Sequence, residues 1–254
     1  LIYLNSYKSN FVLSLVGKSS TLLPQKVEFT IKKTMLIKTL IIIPARSGSK
    51  GIPDKNIKWL GDKSLIAWTA QAIQKADLNN SIAILSTDSD HYAKAGCDAG
   101  LRAPFIRPVE CSNDKASALA VVEHALHWFE DEYHYLPEQV MWLQPTSPFR
   151  SSAIIEQALE LMERRQADGV IGCKEIHRDL TTLFKSNDGF LTALSNDKAI
   201  QTRRQEVEPL LTPNGAMYLC KTSVLQEKKS FYSERTVPLV MDAVMSLDID
   251  TLTD

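Results

Sequence analysis

Four cysteines in 254 residues, Cys97, Cys111, Cys173 and Cys220, are too few and too scattered for a disulfide framework. No Cys-x-x-Cys pair or nearby histidine gives them zinc-ligand spacing, so they read as reduced thiols of a cytoplasmic protein. No apolar run is long enough to span a bilayer, which excludes a membrane partner of that kind. The short apolar stretch 11–16 after Lys8 lacks the length and the small-x-small site of a signal peptide. An excess of one charge is missing too, since 29 Lys and Arg face 30 Asp and Glu. No basic tract is interleaved with aromatics, so no nucleic-acid partner is expected. The usual nucleotide signatures are also absent. Neither Gly-x-x-x-x-Gly-Lys-Ser/Thr nor Gly-x-Gly-x-x-Gly occurs, and Gly17-Lys18-Ser19 has Val12 where the first P-loop glycine belongs. Repeats and low-complexity tracts are not visible.

What is present is a chain of ordinary globular composition, 44% apolar and 23% charged, long enough for one large core. Residues 40–56 run Leu-Ile-Ile-Ile-Pro-Ala-Arg-Ser-Gly-Ser-Lys-Gly-Ile-Pro-Asp-Lys-Asn. Ile41 to Ile43 suit a strand buried on both faces of a parallel sheet. The loop after it is built from Ser47, Gly48, Ser49 and Gly51, which lack the bulk that would keep backbone N–H groups from phosphate oxygens. Arg46, Lys50 and Lys55 then supply counter-charge for a triphosphate.

This segment resembles the signature of the acylneuraminate cytidylyltransferases, the CMP-sialic acid synthetase family. Three further stretches carry the likeness in the same order: Leu143-Gln144-Pro145-Thr146-Ser147-Pro148-Phe149-Arg150, Pro213-Asn214-Gly215-Ala216-Met217-Tyr218 and Ser246-Leu247-Asp248-Ile249-Asp250. Together they span the chain from Met35 to its last residue. The expected division is therefore a non-core extension, 1–34, and a catalytic domain, 35–254, with Met35 as the natural start. Because members of the family usually continue into a terminal helix, the chain is also expected to be a fragment.

Strand and helix patterns alternate through most of this domain. Helices are expected at 64–76, capped by Ser64, and at 88–100, 116–129 and 151–165. Strands are expected at 81–86, 104–107, 139–143 and 169–173, which implies an α/β fold with a mostly parallel sheet and helices on both faces. The alternation stops at about 174–211, a polar stretch holding a hairpin around Ser186-Asn187-Asp188-Gly189. The resemblance implies a Rossmann-like nucleotide-diphospho-sugar transferase fold in which this insert is a small dimerisation subdomain, making a homodimer.

Ligands of an open parallel sheet bind beyond the carboxyl ends of its strands, where residues 45–56, 86–88 and 144–150 all fall. Carried over by resemblance, Arg46, Ser49, Lys50 and Lys55 face the phosphates of CTP, Asn56 the ribose and phosphate, and Arg107 and Ala116 the cytosine. Gln144, Arg204 and Tyr218 match positions that touch an acidic nine-carbon sugar, with the neighbouring Arg203 an alternative to Arg204. A guanidinium there would hold the sugar carboxylate in a bidentate pair. In an extended segment Asp248 and Asp250 face one side and Ile249 the core, and two carboxylates so close favour a hard cation, best Mg²⁺.

The implied reaction transfers CMP from CTP to the anomeric hydroxyl of a nonulosonic acid, N-acetylneuraminate or a bacterial relative such as legionaminate. Pyrophosphate is released. Arg46, Lys55, Asp248 and Asp250 are the expected catalytic set, with the general base left between a metal-bound hydroxide and an aspartate such as Asp250. Thr181, Thr212 and Ala118 depart from the family pattern, where a lysine, an arginine and a serine are common, and these changes bear on which sugar is used. The alternatives are another sugar nucleotidyltransferase of the same fold and a non-catalytic nucleotide-binding relative. Residues 50–56 and 214–216 speak against the first, and the intact Lys55, Asp248 and Asp250 against the second.

Overall fold

The structure is a computed structural model that describes residues 36–49, 51–113, 116–178, 182–194 and 209–254. The expected extension 1–34, Met35, Lys50, Thr181, Arg203 and Arg204 lie outside those residues.

In chain order the elements are β1 (Thr39–Ala45), the short pair β2 (Trp59–Leu60) and β3 (Lys63–Ser64), α1 (Leu65–Lys75), β4 (Ser81–Thr87) and α2 (Asp90–Asp98). Next come α3 (Ala118–Tyr133), β5 (Gln139–Trp142), α4 (Ser152–Arg165) and β6 (Gly169–Ile176). The hairpin β7 (Phe184–Asn187) and β8 (Phe190–Ala193) precedes β9 (Leu210–Lys221), α5 (Thr222–Lys228) and β10 (Thr236–Val240).

Six strands form the main sheet in the order β10-β6-β9-β5-β1-β4. β1 pairs in parallel with β4 on one side and β5 on the other, and β10 pairs in parallel with β6. β9 runs against both its neighbours. The alternation of a strand explains the two cores. Ile41 and Ile43 face α1 and α4, packing with Ile66, Ala70, Ile155 and Ala158, whereas Leu40 and Ile42 face α3 with Val122, Ala125 and Phe129. All four β1 side chains are fully buried, each contributing about 1.5–3 kcal/mol by leaving water.

The expected Ser64 cap is present, and Ser89 and Ser117 cap two further helices in the same way, starting them at Asp90 and Ala118. Ser64, Ser89 and Ser117 each accept a hydrogen bond from the backbone N–H three residues on, at 3.2, 3.4 and 3.1 Å. Each such cap is worth about 1 kcal/mol. The turn of the hairpin is likewise as expected, with Asp188 and Gly189 both at positive φ.

Some elements differ from the sequence expectation. Residues 104–107 form no strand: Thr87 and Ile106 make only an isolated bridge, because Pro104 and Pro108 remove the N–H groups a ladder needs. β9 was not expected as a strand, since Pro213, Asn214 and Gly215 read as breakers. Its pairing with β6 shifts register between Ile171 and Cys173, which absorbs the irregular stretch. Residues 174–176 pair with 210–212 in the main sheet, so the two ends of the polar insert meet there.

Candidate active site

A cavity of about 650 Å³ opens where the carboxyl ends of β1 and β5 meet the segment between α2 and α3 and the loop after β10. The chain leaves β1 for β4 on one side and returns to β5 on the other, so this is where the strand order reverses and a ligand crevice forms. Arg46, Ser49, Lys55, Asn56, Arg107, Ala116, Gln144, Asp248 and Asp250 all line it. Of the other residues put forward, Lys50 and Arg204 lie outside the described residues. Tyr218 on β9 does not itself line the cavity but pairs with Trp142, which does, and packs its ring 5.5 Å from that of Phe231; burial, with Cys173 and Asp248 adding to it, raises its phenol above the ordinary value.

The basic loop is held by side chains from distant segments. Ser47 N–H donates to Asp88 Oδ1 at 2.8 Å, and its hydroxyl lies 3.3 Å from Asp88 Oδ2. Ser49 N–H donates to Ser47 O at 3.0 Å. These two loop N–H groups, expected to face phosphate, are therefore engaged within the protein. Asn56 is buried and donates from Nδ2 to Arg46 O at 3.2 Å, which fixes the backbone beneath the Arg46 side chain. Gly51 also meets a packing constraint, since a Cβ there would stand 2.5 Å from Asp250 O. Its smallness admits the acidic segment.

Arg107 comes from the segment between α2 and α3, its N–H donating to Thr87 O, the last residue of β4, at 2.7 Å. Only 5% exposed, it donates from Nε to Ser112 Oγ at 3.1 Å. Burial pushes its guanidinium below the ordinary range, while Asp88 opposes that shift. A buried cation at a cavity wall suits an anionic or carbonyl-bearing ligand.

The acidic segment crosses to the far wall, where Ile249 N–H donates to Thr146 O at 2.8 Å. Ile249 is buried against Ile52 and Leu65, as its place between two carboxylates suggested. Asp250 Oδ1 accepts from Lys55 Nζ at 2.8 Å, and Asp248 Oδ1 is buried with no hydrogen-bond partner among the described residues. Burial raises the Asp248 carboxyl above its ordinary value, with Asp250 reinforcing the shift and Thr146 and Lys55 opposing it. An orphaned buried carboxylate oxygen beside a second carboxylate fits a divalent cation. Among the described residues no group of three or more His, Cys, Asp or Glu side chains is placed to hold a metal. A Mg²⁺ ion held by two carboxylates, with waters and substrate phosphates completing its shell, needs no third.

Behind this wall lies a buried polar lattice that sequence reading passed over. Asn214 donates to Ser246 Oγ at 2.9 Å and accepts from Ala216 N–H at 3.1 Å. It thereby ties β9 to the loop that carries Asp248. Gly215 sits at φ 80°, where a Cβ would stand 3.0 Å from Gln144 Oε1 and 3.5 Å from Asp248 Oδ2. Arg150 and Asp88 were also missed as anchors. The only signals were their places in the 143–150 motif and directly after β4.

A family model described as Cytidylyltransferase matches residues 40–254. The chain belongs to the cytidylyltransferase family. It is 34% identical over 221 residues to the N-acylneuraminate cytidylyltransferase of Streptococcus agalactiae serotype V, a match covering 86% of this chain and 52% of that protein. Against the CMP-N,N'-diacetyllegionaminic acid synthase of Legionella pneumophila it is 31% identical over 222 residues, covering 86% and 93%. The chain thus spans about half the length of the streptococcal relative and nearly all of the Legionella one. Among solved structures, CMP:2-keto-3-deoxy-manno-octonic acid synthetase complexed with CTP aligns with a TM-score of 0.60 at 17% identity, covering 85% of this chain and 94% of that one. That likeness establishes the nucleotidyltransferase fold.

Proposed function

We propose that this chain transfers CMP from CTP to the anomeric hydroxyl of a nonulosonic acid, N-acetylneuraminate or a relative such as legionaminate, with release of pyrophosphate. The observation that carries this reading is the gathering of Arg46, Lys55, Arg107 and the Asp248 carboxylate, whose Oδ1 has no hydrogen-bond partner among the described residues, around one cavity. Relatives named for N-acylneuraminate and N,N'-diacetyllegionaminic acid support the choice of sugar class.

Arg46 and Lys55 would hold the triphosphate, and Arg107 with the backbone near Ala116 the cytosine. Gln144, with Arg204 and Tyr218, would hold the acid, and Arg204 would pair with its carboxylate. The sugar oxygen attacks the α-phosphorus in line as the bond to the β-phosphate oxygen breaks. The hydroxyl proton passes to a base, and pyrophosphate leaves with the electron pair. Lys55 faces the charge that develops on the leaving group, and a fixed cation in a partly dry site is most effective there. Mg²⁺, held by Asp248 and Asp250, would neutralise phosphate charge when bound.

The reading places the enzyme in the cytoplasm as a homodimer in which the hairpin β7–β8, with Phe190 and Leu191 largely exposed, is covered by a second copy. Pyrophosphate release measured with CTP, UTP, ATP and GTP across a panel of nine-carbon acids tests the proposal. Clear preference for CTP is expected, and equal turnover with UTP would sink the cytidine assignment.

A further inference from the structure

Arg150 is 2% exposed, and no carboxylate answers its charge among the described residues. One nitrogen, Nη1, donates both to Gln144 O at 3.1 Å and to Ala216 O at 2.6 Å. The other, Nη2, donates to Thr69 Oγ1 of α1 at 3.0 Å, while Nε is buried with no partner among the described residues. A guanidinium buried without a counter-ion is a poor device for stability, because a well-packed apolar side chain avoids the desolvation. Burial alone pushes it down to about 9.

What the arginine offers is a rigid planar fork, which fixes the separation of the groups it joins. Those groups are the loop after β5 and the bend of β9. They carry Gln144 and Gly215, and the gap between them is where Gln144 Oε1 and Asp248 Oδ2 converge. We propose that Arg150 is a positioning residue for the acid-binding wall, acting through Gln144 and the Gly215 bend to set the distance between the Gln144 amide and the Asp248 carboxylate. The inference rests on the transfer reading above for the identity of the ligand. The geometry itself does not depend on that reading.

The test is a double-mutant cycle of Arg150→Met and Gln144→Ala, with kcat and KM measured for both substrates, and Arg150→Lys as the conservative partner. Arg150→Met should lower kcat/KM for the acid by about a hundredfold, the loss expected when a binding group shifts by about 1 Å, and leave KM for CTP within about twofold. Arg150→Lys keeps one donor and should recover about tenfold of that loss. In the Gln144→Ala background Arg150→Met should add less than about threefold, since coupled residues are not additive. An equal loss in both backgrounds, or an equal rise in both KM values, would overturn the proposal.

Should Arg150→Met not fold, hydrogen exchange on Arg150→Lys decides. Faster exchange confined to 143–149 and 213–217 supports the proposal, and a uniform rise that includes β1 overturns it. A folded wild-type chain that turns over none of the acids would strike the transfer reading alone, and the exchange pattern would then decide whether Arg150 sets this wall.

Discussion

The two walls of the cavity are built by opposite means. The wall formed by 46–56 is a short loop whose cations project from a small-residue backbone, and its link to the far side, Lys55 to Asp250, is an ion pair with a largely exposed carboxylate. The Lys55 side chain is largely buried, but water at the exposed carboxylate screens the pair and limits what it adds to stability. The opposite wall is a lattice of buried polar side chains, Arg150, Asn214 and Ser246, joined to the Thr69 hydroxyl of α1, to Gln144 O in the loop after β5 and to Ala216 O of β9. Removing one member leaves a buried partner unsatisfied, which costs about 1–3 kcal/mol. The first wall therefore presents its charge on a loop anchored at a few points, Asn56, Ser47 and Ile52, whereas the second is held by a continuous buried hydrogen-bond lattice.

Asp248→Asn should break this contrast most sharply, because Asp248 sits on the buried wall yet is assigned a purely chemical task. Turnover should fall by about a thousandfold, since metal stabilisation of phosphate charge is worth several kcal/mol. The melting temperature of the metal-free protein should nevertheless hold or rise. A carboxyl raised by burial contributes stability that is present below its unfolded-state value and lost as pH rises through its folded-state value. At neutral pH the buried charge is a net cost that asparagine removes. Calorimetry of both proteins checks this, and a loss of turnover with a large fall in melting temperature would make Asp248 a structural residue.

Lys55→Ala tests the other wall. About a hundredfold loss of rate is expected from removing one charge-stabilising donor, with little change in melting temperature and no rescue by added Mg²⁺. Recovery at high Mg²⁺ would mean that Lys55 serves mainly to hold Asp250. Asn214→Ala should lower stability by about 1–3 kcal/mol in denaturant titration and reduce rate with it, since Ser246 and the Ala216 N–H lose their partner. Unchanged stability would mean the lattice is not the framework described. Gly51→Ala should have the smallest effect, roughly a tenfold higher Mg²⁺ requirement as the new Cβ displaces the Asp250 carbonyl. An unaltered Mg²⁺ titration would separate the loop from the acidic segment.

The contrast between the walls also decides how much could be read from sequence. The basic wall is local: a β-branched run, a loop of small residues and three cations within ten positions, so the strand and most of its cavity residues were legible. Even there, the engagement of Ser47 by Asp88 was not, because it joins residues 41 apart. The lattice wall is made of contacts such as Arg150 with Ala216, 66 residues distant, and nothing in a Pro-Phe-Arg-Ser string marks the arginine as buried. β9 was hidden for a related reason. Its proline, asparagine and glycine are tolerated by a register shift, where a Cβ on Gly172 would stand 2.9 Å from Asn214 Oδ1.

The proposal that one wall takes CTP and the other an acidic sugar is tested most directly by product analysis. Mass spectrometry of the reaction with CTP, Mg²⁺ and each nine-carbon acid should reveal, for at least one acid, a CMP conjugate formed one-for-one with pyrophosphate and lost in Asp248→Asn. CTP that binds but yields neither conjugate nor pyrophosphate with any acid in the panel would contradict it.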